Sequence, residues 1–231
     1  MDPPGMKQGG SDDAKRAAGA SAAEAVEDGM VVGLGTGSTA AHAIRAIGAA
    51  VDAGLDVTGV PTSFQSRELA REAGIPLTDL DAAEIDLAID GADQVAGGCL
   101  VKGGGAAHAR EKIVDTAADR LLVVVDPTKE ADVLDHPVPL ELLPAARRPV
   151  AAAVERLGGE PALRRAERKD GPVVTDNGNL VFDCAFGAIA DPAALAADLA
   201  TIPGVVEHGL FVDVADEIHC GTADGVTVTE L

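Results

Sequence analysis

Residues 30–50 read MVVGLGTGSTAAHAIRAIGAA, which is an apolar run, a glycine-rich turn and an amphipathic segment in direct succession. Residues 30–34 have the length and β-branched character of a buried strand. Residues 40–50 have Ile44 and Ile47 on one apolar stripe, as in a helix. A strand that leads through glycines into a helix is the first half of a βαβ unit, so this stretch indicates an α/β protein.

The alternation of strands and helices continues through residue 125. Further strands are expected at residues 57–60, 85–89 and 121–125, and further helices at residues 66–73 and 106–118. Because parallel strands need helical crossovers, we expect a Rossmann-like, mostly parallel sheet with helices on both faces.

The pattern changes after about Lys129, and further along the chain two strands come close together around an Asn177-Gly178 hairpin signal. The elements expected there are strands at 138–143, 161–166, 173–182 and 205–211, and helices at 145–157 and 192–199. The order β-α-β-β-α-β predicts a small ferredoxin-like (split βαβ) α+β domain at residues 132–208. Residues 1–131 and 209–231 then make up the Rossmann-like catalytic domain.

The chain is strongly acidic, with 38 Asp and Glu against 18 Lys and Arg and a net charge of −20. Nucleic acids and anionic membranes are bound through clusters of Lys and Arg, so we expect neither as a partner. We interpret the charge as adaptation to a salty cytoplasm, where the Debye length falls to about 3 Å at 1 M salt. An ordinary acidic protein is the alternative.

The cysteines and the N-terminal residues indicate the cellular compartment of the protein. Cys99, Cys184 and Cys220 are odd in number and far apart, which favours reduced thiols over a disulfide framework or a zinc site. Residues 1–13 are polar and lack an apolar signal region, and no later apolar run approaches membrane-spanning length. We therefore expect a soluble, cytoplasmic protein without a metal.

The turn at residues 33–39, GLGTGST, is the first candidate binding element. Backbone amides at the start of the following helix, with the hydroxyls of Thr36, Ser38 and Thr39, would hold a phosphate. The turn lacks the Lys-Ser/Thr pair of a P-loop, and no acid ends the second strand to hold a ribose. A capped strand-to-helix turn without a ligand is the alternative.

Two aspartates, Asp90 and Asp93, follow the third expected strand in the sequence Asp90-Gly91-Ala92-Asp93. Ligands of open α/β sheets bind beyond the carboxyl ends of the strands, so these carboxylates are placed to accept the hydroxyls of a sugar. A turn with Asx capping is the alternative, and it explains one aspartate better than two.

The stretch KGGGAAHARE at residues 102–111 combines a cation, three glycines and a carboxylate. Lys102 and the amides of Gly103, Gly104 and Gly105 would stabilise an oxyanion. Glu111 lies near an apolar helix face, where partial desolvation raises the pKa of a carboxyl group and suits it to general-base catalysis. The alternative is a solvated glutamate paired with a neighbouring cation, and His108 is expected on the helix surface or behind the site.

Lysines are scarce, and three of the six have positions that can converge. Lys129 follows the fourth strand in Asp126-Pro127-Thr128-Lys129, Lys15 lies in the first helix, and Lys102 precedes the glycines. In so acidic a chain, cations kept together at one edge of the sheet would favour a phosphorylated ligand.

With these segments in view, the chain resembles ribose-5-phosphate isomerase of the A type from about residue 15 to residue 224. The segments that carry the resemblance are residues 33–39, 90–93, 102–111, 126–129, 174–179 and 202–210. The resemblance implies a cofactor-free aldose–ketose isomerase that interconverts D-ribose 5-phosphate and D-ribulose 5-phosphate in the pentose phosphate pathway. It also implies a sugar phosphate as the small-molecule partner, and a homodimer or homotetramer.

The resemblance implies a role for each residue of this chain that matches a functional residue of the family. Glu111 matches the catalytic base of the family, and Asp90, Asp93 and Lys102 match its other catalytic residues. The matched phosphate- and substrate-binding residues are Lys15, Thr36, Gly37, Ser38, Thr39, Gly91, Ala92, Gly103, Gly104, Gly105 and Lys129. The chain departs from the family pattern at Gln94, where an acid is usual, and at His108-Ala109, where a Leu-Thr type pair is more common.

Two other classes of function remain open at this point. A related fold could carry other chemistry, such as an amino-sugar phosphate isomerase or a CoA-transferase with a nucleophilic glutamate. A sugar-phosphate-sensing module of a regulator would need a DNA-binding segment, and the short acidic N-terminus offers none.

Overall fold

The structure is a computed structural model that describes residues 10–168, 170–222 and 224–231. Most of the N-terminal stretch discussed above, residues 1–9, lies outside the described residues. The described chain divides into a large unit, residues 10–92, 110–130 and 214–231, and a small unit, Asp93–Ala109 and Ala131–Asp213. The small unit therefore includes residues 93–109 and 209–213, which the sequence assigns to the Rossmann-like domain.

The helices and strands follow one another in the order that the sequence indicates, with a few additions. In chain order they are α1 (Asp12–Ala23), β1 (Val31–Leu34), α2 (Ser38–Asp52), β2 (Thr58–Pro61), α3 (Phe64–Glu72), β3 (Leu87–Gly91), β4 (Gln94–Ala96), β5 (Cys99–Val101), α4 (His108–Ala117), β6 (Leu121–Val125), β7 (Val138–Leu142), α5 (Arg147–Arg156), β8 (Glu160–Leu163), β9 (Leu180–Ala185), α6 (Pro192–Ala200), β10 (Val205–His208), β11 (Leu210–Phe211), β12 (Glu217–Thr222) and β13 (Gly225–Glu230). Short 3-10 turns lie at Pro127–Lys129 and Pro144–Ala146.

The large unit is built on a six-stranded sheet in the order β13-β12-β6-β3-β1-β2. Its strands are parallel except β13, which pairs antiparallel with β12. Val32 and Leu34 of β1 pack in the core that includes α1 and α2, whereas Val31, which points the other way, packs with Val114 of α4. The prediction of a mostly parallel sheet with helices on both faces is confirmed.

Small residues let the helices of the large unit pack closely without aromatic side chains. Gly19 of α1 lies against α2, and a Cβ atom there would come within 2.6 Å of the Ala43 amide nitrogen. Ala18, Ala22 and Ala43 are buried around this contact. Close packing of small residues therefore supports a core in a chain that has no Trp or Tyr.

The small unit contains a four-stranded antiparallel sheet in the order β10-β7-β9-β8. With α5 and α6, the element order is β-α-β-β-α-β, so the predicted ferredoxin-like arrangement is confirmed. A second sheet, in the order β11-β5-β4, includes a hairpin that the sequence analysis did not anticipate.

One predicted strand is wrong. Residues 205–211 form two strands, because the chain leaves the four-stranded sheet at Gly209 and pairs with β5 from Leu210 onward. A Cβ atom at Gly209 would overlap the Lys102 carbonyl oxygen and lie 2.7 Å from Cδ of Pro139. Only glycine permits this close passage between the two sheets.

The three cysteines are free thiols, as the sequence predicts. Burial raises the pKa of the Cys184 thiol to about 12, and the nearby Asp183 carboxylate adds to the effect. Burial and the Glu130 carboxylate likewise raise the pKa of Cys220 to about 12. Both side chains therefore carry their protons at neutral pH. Among the described residues, no helix combines the length and apolar character that crossing a bilayer requires.

Candidate active site

The turn between β1 and α2 has the geometry of an anion site. Gly37 is the N-cap of α2 with φ of 114°, and no side chain caps the helix. Its first turn has no acidic residue, Ser38 is exposed, and Thr39 is buried. Amides at an uncapped helix start, together with the helix dipole, favour a negatively charged ligand.

Asp90 fixes this turn from the end of β3. Its carboxylate is fully buried, and Oδ1 accepts hydrogen bonds from the amides of Thr36 at 3.0 Å and Gly91 at 2.6 Å. A Cβ atom at Gly35 would lie 2.5 Å from Cα of Asp90, so only glycine leaves room for the carboxylate. Gly91 and Ala92 continue the chain half-buried beyond the strand.

Hydroxyl groups at the end of β2 hold the turn from the other side. The Thr36 hydroxyl lies 2.8 Å from that of Thr62 and donates to that of Ser63 at 2.7 Å. Ser63 also begins α3 with a capping box formed with Ser66. The turn is thus held by its neighbours on both sides before any ligand binds.

Glu111 lies in the first turn of α4 and is only 3% exposed. Val114, three residues later, packs on β1, since a Cβ atom at Gly33 would lie 2.8 Å from its Cγ1. Residues three apart share one helix face, and a crossover helix runs antiparallel to its strands. Glu111 is therefore placed over the carboxyl end of β1, on the side of Thr36 and Asp90.

Lys15 and Lys129 lie at the same edge of the large unit. Lys129 closes the 3-10 turn after β6, and Gly10, just before α1, packs against the side chain of Asp126 at the end of that strand. Both lysines are half-buried, and neither forms an ion pair within the part of the chain that the structure describes. A ligand phosphate would supply the missing negative charge.

The small unit carries the other candidates, beginning with Lys102. This residue follows β5 and is only 2% exposed, and its amide donates to the Gly209 carbonyl at 2.8 Å. Its ammonium lies 5.3 Å from the centroid of the Phe211 ring, within the range of a cation–π interaction. Lys102 is therefore held at its backbone amide and at its ammonium group.

The glycine turn next to Lys102 contacts Asp93. The amide of Gly104 donates to Oδ2 of Asp93 at 2.6 Å. Gly103 has φ of 107°, and Ala106 has φ of 59°, a left-handed conformation that is uncommon for a residue with a side chain. Gly104 and Gly105 are exposed. Backbone in such conformations is concentrated at functional sites.

Comparison with known proteins decides the family. The sequence profile described as ribose 5-phosphate isomerase A (phosphoriboisomerase A) matches residues 58–225. The chain is 78% identical over 226 residues to ribose-5-phosphate isomerase A of Haloarcula marismortui, covering 98% of this chain and 99% of that one. The chain belongs to the ribose 5-phosphate isomerase A family.

Solved structures of the family have the same fold. Ribose 5-phosphate isomerase A from Methanocaldococcus jannaschii is 44% identical, with a TM-score of 0.91 over 95% of this chain and 99% of that chain. A D-ribose-5-phosphate isomerase in complex with phospho-erythronic acid is 42% identical, with a TM-score of 0.93 over 96% of this chain and 100% of that chain. The Haloarcula relative also fits the interpretation of the acidic composition as adaptation to salt.

Gln94, at which the sequence analysis expected a departure from the family pattern, has a structural role. Its side-chain oxygen accepts the amides of Asp135 and His136, each at 2.8 Å, and its nitrogen donates to the Asp135 carboxylate at 2.6 Å. An uncharged amide can both donate and accept, which an ionised acid here could not do. Gln94 therefore anchors the loop that contains Asp135 and His136.

His108 is fully buried, so of its two expected places, on the helix surface or behind the site, the first is wrong. Its Nε2 accepts the amide of Glu141 at 3.1 Å. The buried Glu141 carboxylate in turn accepts hydrogen bonds from Thr175, Asn177 and Asn179 at 2.9, 3.0 and 2.7 Å. Segment 174–179, which contributes to the family resemblance, thus supplies three donors to Oε1 of a buried acid that the sequence analysis did not single out.

In the described part of the chain, no three His, Cys, Asp or Glu side chains are grouped as they would be around a metal ion.

Proposed function

We propose that this member of the ribose 5-phosphate isomerase A family interconverts D-ribose 5-phosphate and D-ribulose 5-phosphate, with Glu111 as the base. The observation that carries the proposal is the buried Glu111 carboxylate in the first turn of α4, a helix that packs on β1, together with the uncapped start of α2 just after β1. The complex of a relative with phospho-erythronic acid supports it, because that ligand is a sugar-acid phosphate whose planar, negatively charged carboxylate resembles an enediolate.

Ring opening needs a proton removed from the anomeric hydroxyl and a proton delivered to the ring oxygen. We assign this step to Asp93, which is half-exposed and has one carboxylate oxygen that does not receive the Gly104 amide. Asp90 is fully buried, and its Oδ1 already accepts two amides. Its role is to hold the phosphate-binding turn.

Glu111 then takes the C2 proton of the open-chain aldehyde. The electrons of the C2–H bond form a C1–C2 double bond, and negative charge develops on the C1 oxygen. Lys102 and the glycine-turn amides stabilise this oxygen in a cis-enediol intermediate. Glu111 returns the proton to C1 while the C2 hydroxyl proton moves to the C1 oxygen, which leaves the ketone. A positioned acid–base group contributes about 10²–10⁴-fold to such a step.

Incubation of the protein with D-ribose 5-phosphate in concentrated KCl, followed by a ketose assay, tests the proposal directly. We expect D-ribulose 5-phosphate to accumulate to the equilibrium ratio. Absence of ketose, or formation of a glutamyl thioester with acyl-CoA detected by mass spectrometry, would overturn it.

Lys129→Ala is expected to raise KM for ribose 5-phosphate about 10–100-fold and to leave kcat nearly unchanged. A charge-assisted hydrogen bond to the phosphate is worth about 1.5–3 kcal/mol, and it acts on substrate and transition state alike. Steady-state kinetics measures the effect. Arg156→Ala, which removes an exposed charge from α5, is the control. A defect in kcat alone would contradict the phosphate role of Lys129.

We also propose that the chain works in the cytoplasm as a homodimer or homotetramer. Exposed apolar side chains of the large unit support association, since Phe64 and Ile113 are each 56% exposed. Light scattering during size-exclusion chromatography in concentrated KCl measures the mass, and a monomer of 23.2 kDa would contradict the proposal.

A further inference from the structure

Arg164, directly after β8, forms a bridge between a carboxylate and the glycine turn. Its Nε donates to the two carboxylate oxygens of Asp183 at 3.2 and 3.0 Å, and its Nη2 donates to the same group. Its Nη1 donates to the carbonyl oxygens of Gly103 at 2.8 Å and Gly104 at 3.1 Å. One guanidinium thus holds two successive peptide groups of the turn.

Because a peptide group is planar, holding its carbonyl oxygen also fixes the direction of the N–H group in the same peptide. In a trans peptide the N–H points opposite to the carbonyl of the preceding residue. The Gly103 carbonyl faces Arg164, and the Gly104 amide accordingly points the other way, to Asp93 at 2.6 Å. The Gly104 carbonyl also faces Arg164, so the Gly105 N–H is turned away from the guanidinium.

The next amide of the turn is that of Gly105. Gly105 is exposed, and its N–H donates no hydrogen bond within the residues that the structure describes. Three glycines in a row would otherwise let this peptide group rotate easily. A fixed donor stabilises developing charge better than a mobile one, because it does not reorganise during the reaction.

The support for Arg164 is itself rigid. Its amide donates to the Val181 carbonyl at 2.9 Å, and Asp183 lies on β9 opposite Ala162 of β8. The Arg164 and Asp183 side chains are 16% and 34% exposed, so the pair is partly shielded from water. The planar fork of arginine serves a carboxylate and two carbonyls at once, which the single ammonium of lysine cannot do.

We propose that Arg164, oriented by Asp183, is a positioning residue that fixes the direction of the Gly105 N–H as a donor to the enediolate oxygen. The proposal deepens the proposed isomerase function and rests on it. Arg164 touches no reacting atom and acts through the backbone of the glycine turn.

The test compares Arg164→Ala, Arg164→Lys and Asp183→Asn with Arg165→Ala, which removes the exposed neighbouring arginine. We expect Arg164→Ala to lower kcat about 10–100-fold with little change in KM, because misplacing a catalytic donor by about 1 Å costs up to about 10²-fold. Lysine should not restore kcat, Asp183→Asn should lower it less, and Arg165→Ala should match the wild type.

A second measurement separates positioning from general destabilisation. Inhibition by phospho-erythronic acid should weaken in Arg164→Ala by about the same factor as kcat, since its carboxylate would use the same donor. Added guanidinium ion, at concentrations that leave the circular dichroism spectrum unchanged, should restore part of kcat. Full activity of Arg164→Ala, full rescue by lysine, or a change in KM alone would overturn the proposal.

The same experiment distinguishes this proposal from the function on which it rests. If the wild type forms no ketose from ribose 5-phosphate, the proposed function fails. If the wild type is active, and Arg164→Ala folds and is equally active, only the positioning role fails. Asp183→Asn keeps the test informative if Arg164→Ala does not fold, because it preserves side-chain volume.

Discussion

Glu111→Gln is expected to lower kcat for ribose 5-phosphate about 10²–10⁴-fold while the protein stays folded. Glutamine has nearly the same shape as glutamate, so it fills the same buried space, but its amide cannot take a proton from carbon. KM should change little, because the start of α2, Lys15 and Lys129 are untouched. Steady-state kinetics and thermal unfolding by circular dichroism measure the two parts of this result.

Glu84→Gln is the matched control, since it makes the same chemical change on an exposed glutamate of the large unit. It should leave kcat, KM and Tm at wild-type values. Glu111→Asp should retain more activity than Glu111→Gln, because it keeps a base at a longer distance from C2. Near-normal turnover of Glu111→Gln would remove Glu111 from the mechanism.

Gly35→Ala is expected to reduce both stability and activity. The added methyl group would overlap the Asp90 carboxylate and lie 2.5 Å from Cα of Asp90, so β1 and β3 must move apart locally. Forcing one methyl group into a packed site costs about 1–3 kcal/mol of unfolding free energy. The shift also breaks the Thr36-to-Asp90 hydrogen bond that holds the phosphate-binding turn, and kcat/KM should fall about 10²-fold.

Gly29→Ala separates the effect of the methyl group from that of losing a glycine. Gly29 has φ of 88°, and a Cβ atom there meets nothing within 4 Å. Alanine at this position should lose about 1–2 kcal/mol of stability through backbone strain alone and retain normal kinetics. Denaturant unfolding and kinetics of the two variants give the comparison, and equal kinetics would contradict the role of Gly35.

Strand ends held most of the predictive information in this chain. Thr36, Asp90 and Lys129 each follow an apolar run closely. In the structure, Thr36 and Lys129 come just after the ends of the parallel strands β1 and β6, and Asp90 is the next-to-last residue of β3. Long apolar runs of β-branched residues locate parallel strands reliably, because both faces of such strands are buried. The carboxyl edge of the large sheet, and the residues on it, could therefore be read from local pattern.

Contacts that depend on strand register could not be predicted from the local sequence pattern. Arg164 and Asp183 are 19 residues apart, and only the pairing of β8 with β9 brings them together. The buried His108 ring accepts a hydrogen bond from the amide of Glu141, which is 33 residues away on β7. Gly209 divides the stretch 205–211, which the sequence analysis predicts as one strand, because the neighbouring backbone of Lys102 leaves no room for a side chain. The local periodicity of the sequence does not predict these contacts between residues far apart in the chain.

The ammonium groups of Lys15 and Lys129, which form no ion pair within residues 10–168, 170–222 and 224–231, have a consequence for how substrate arrives. A chain with a net charge of −20 repels a sugar phosphate dianion at long range, so this repulsion slows substrate association in dilute buffer. At molar ionic strength the field fades within about 3 Å, and an approaching dianion feels only the nearest cations. The association rate constant for the substrate should therefore increase with ionic strength. The opposite dependence holds for enzymes whose net charge attracts their substrate.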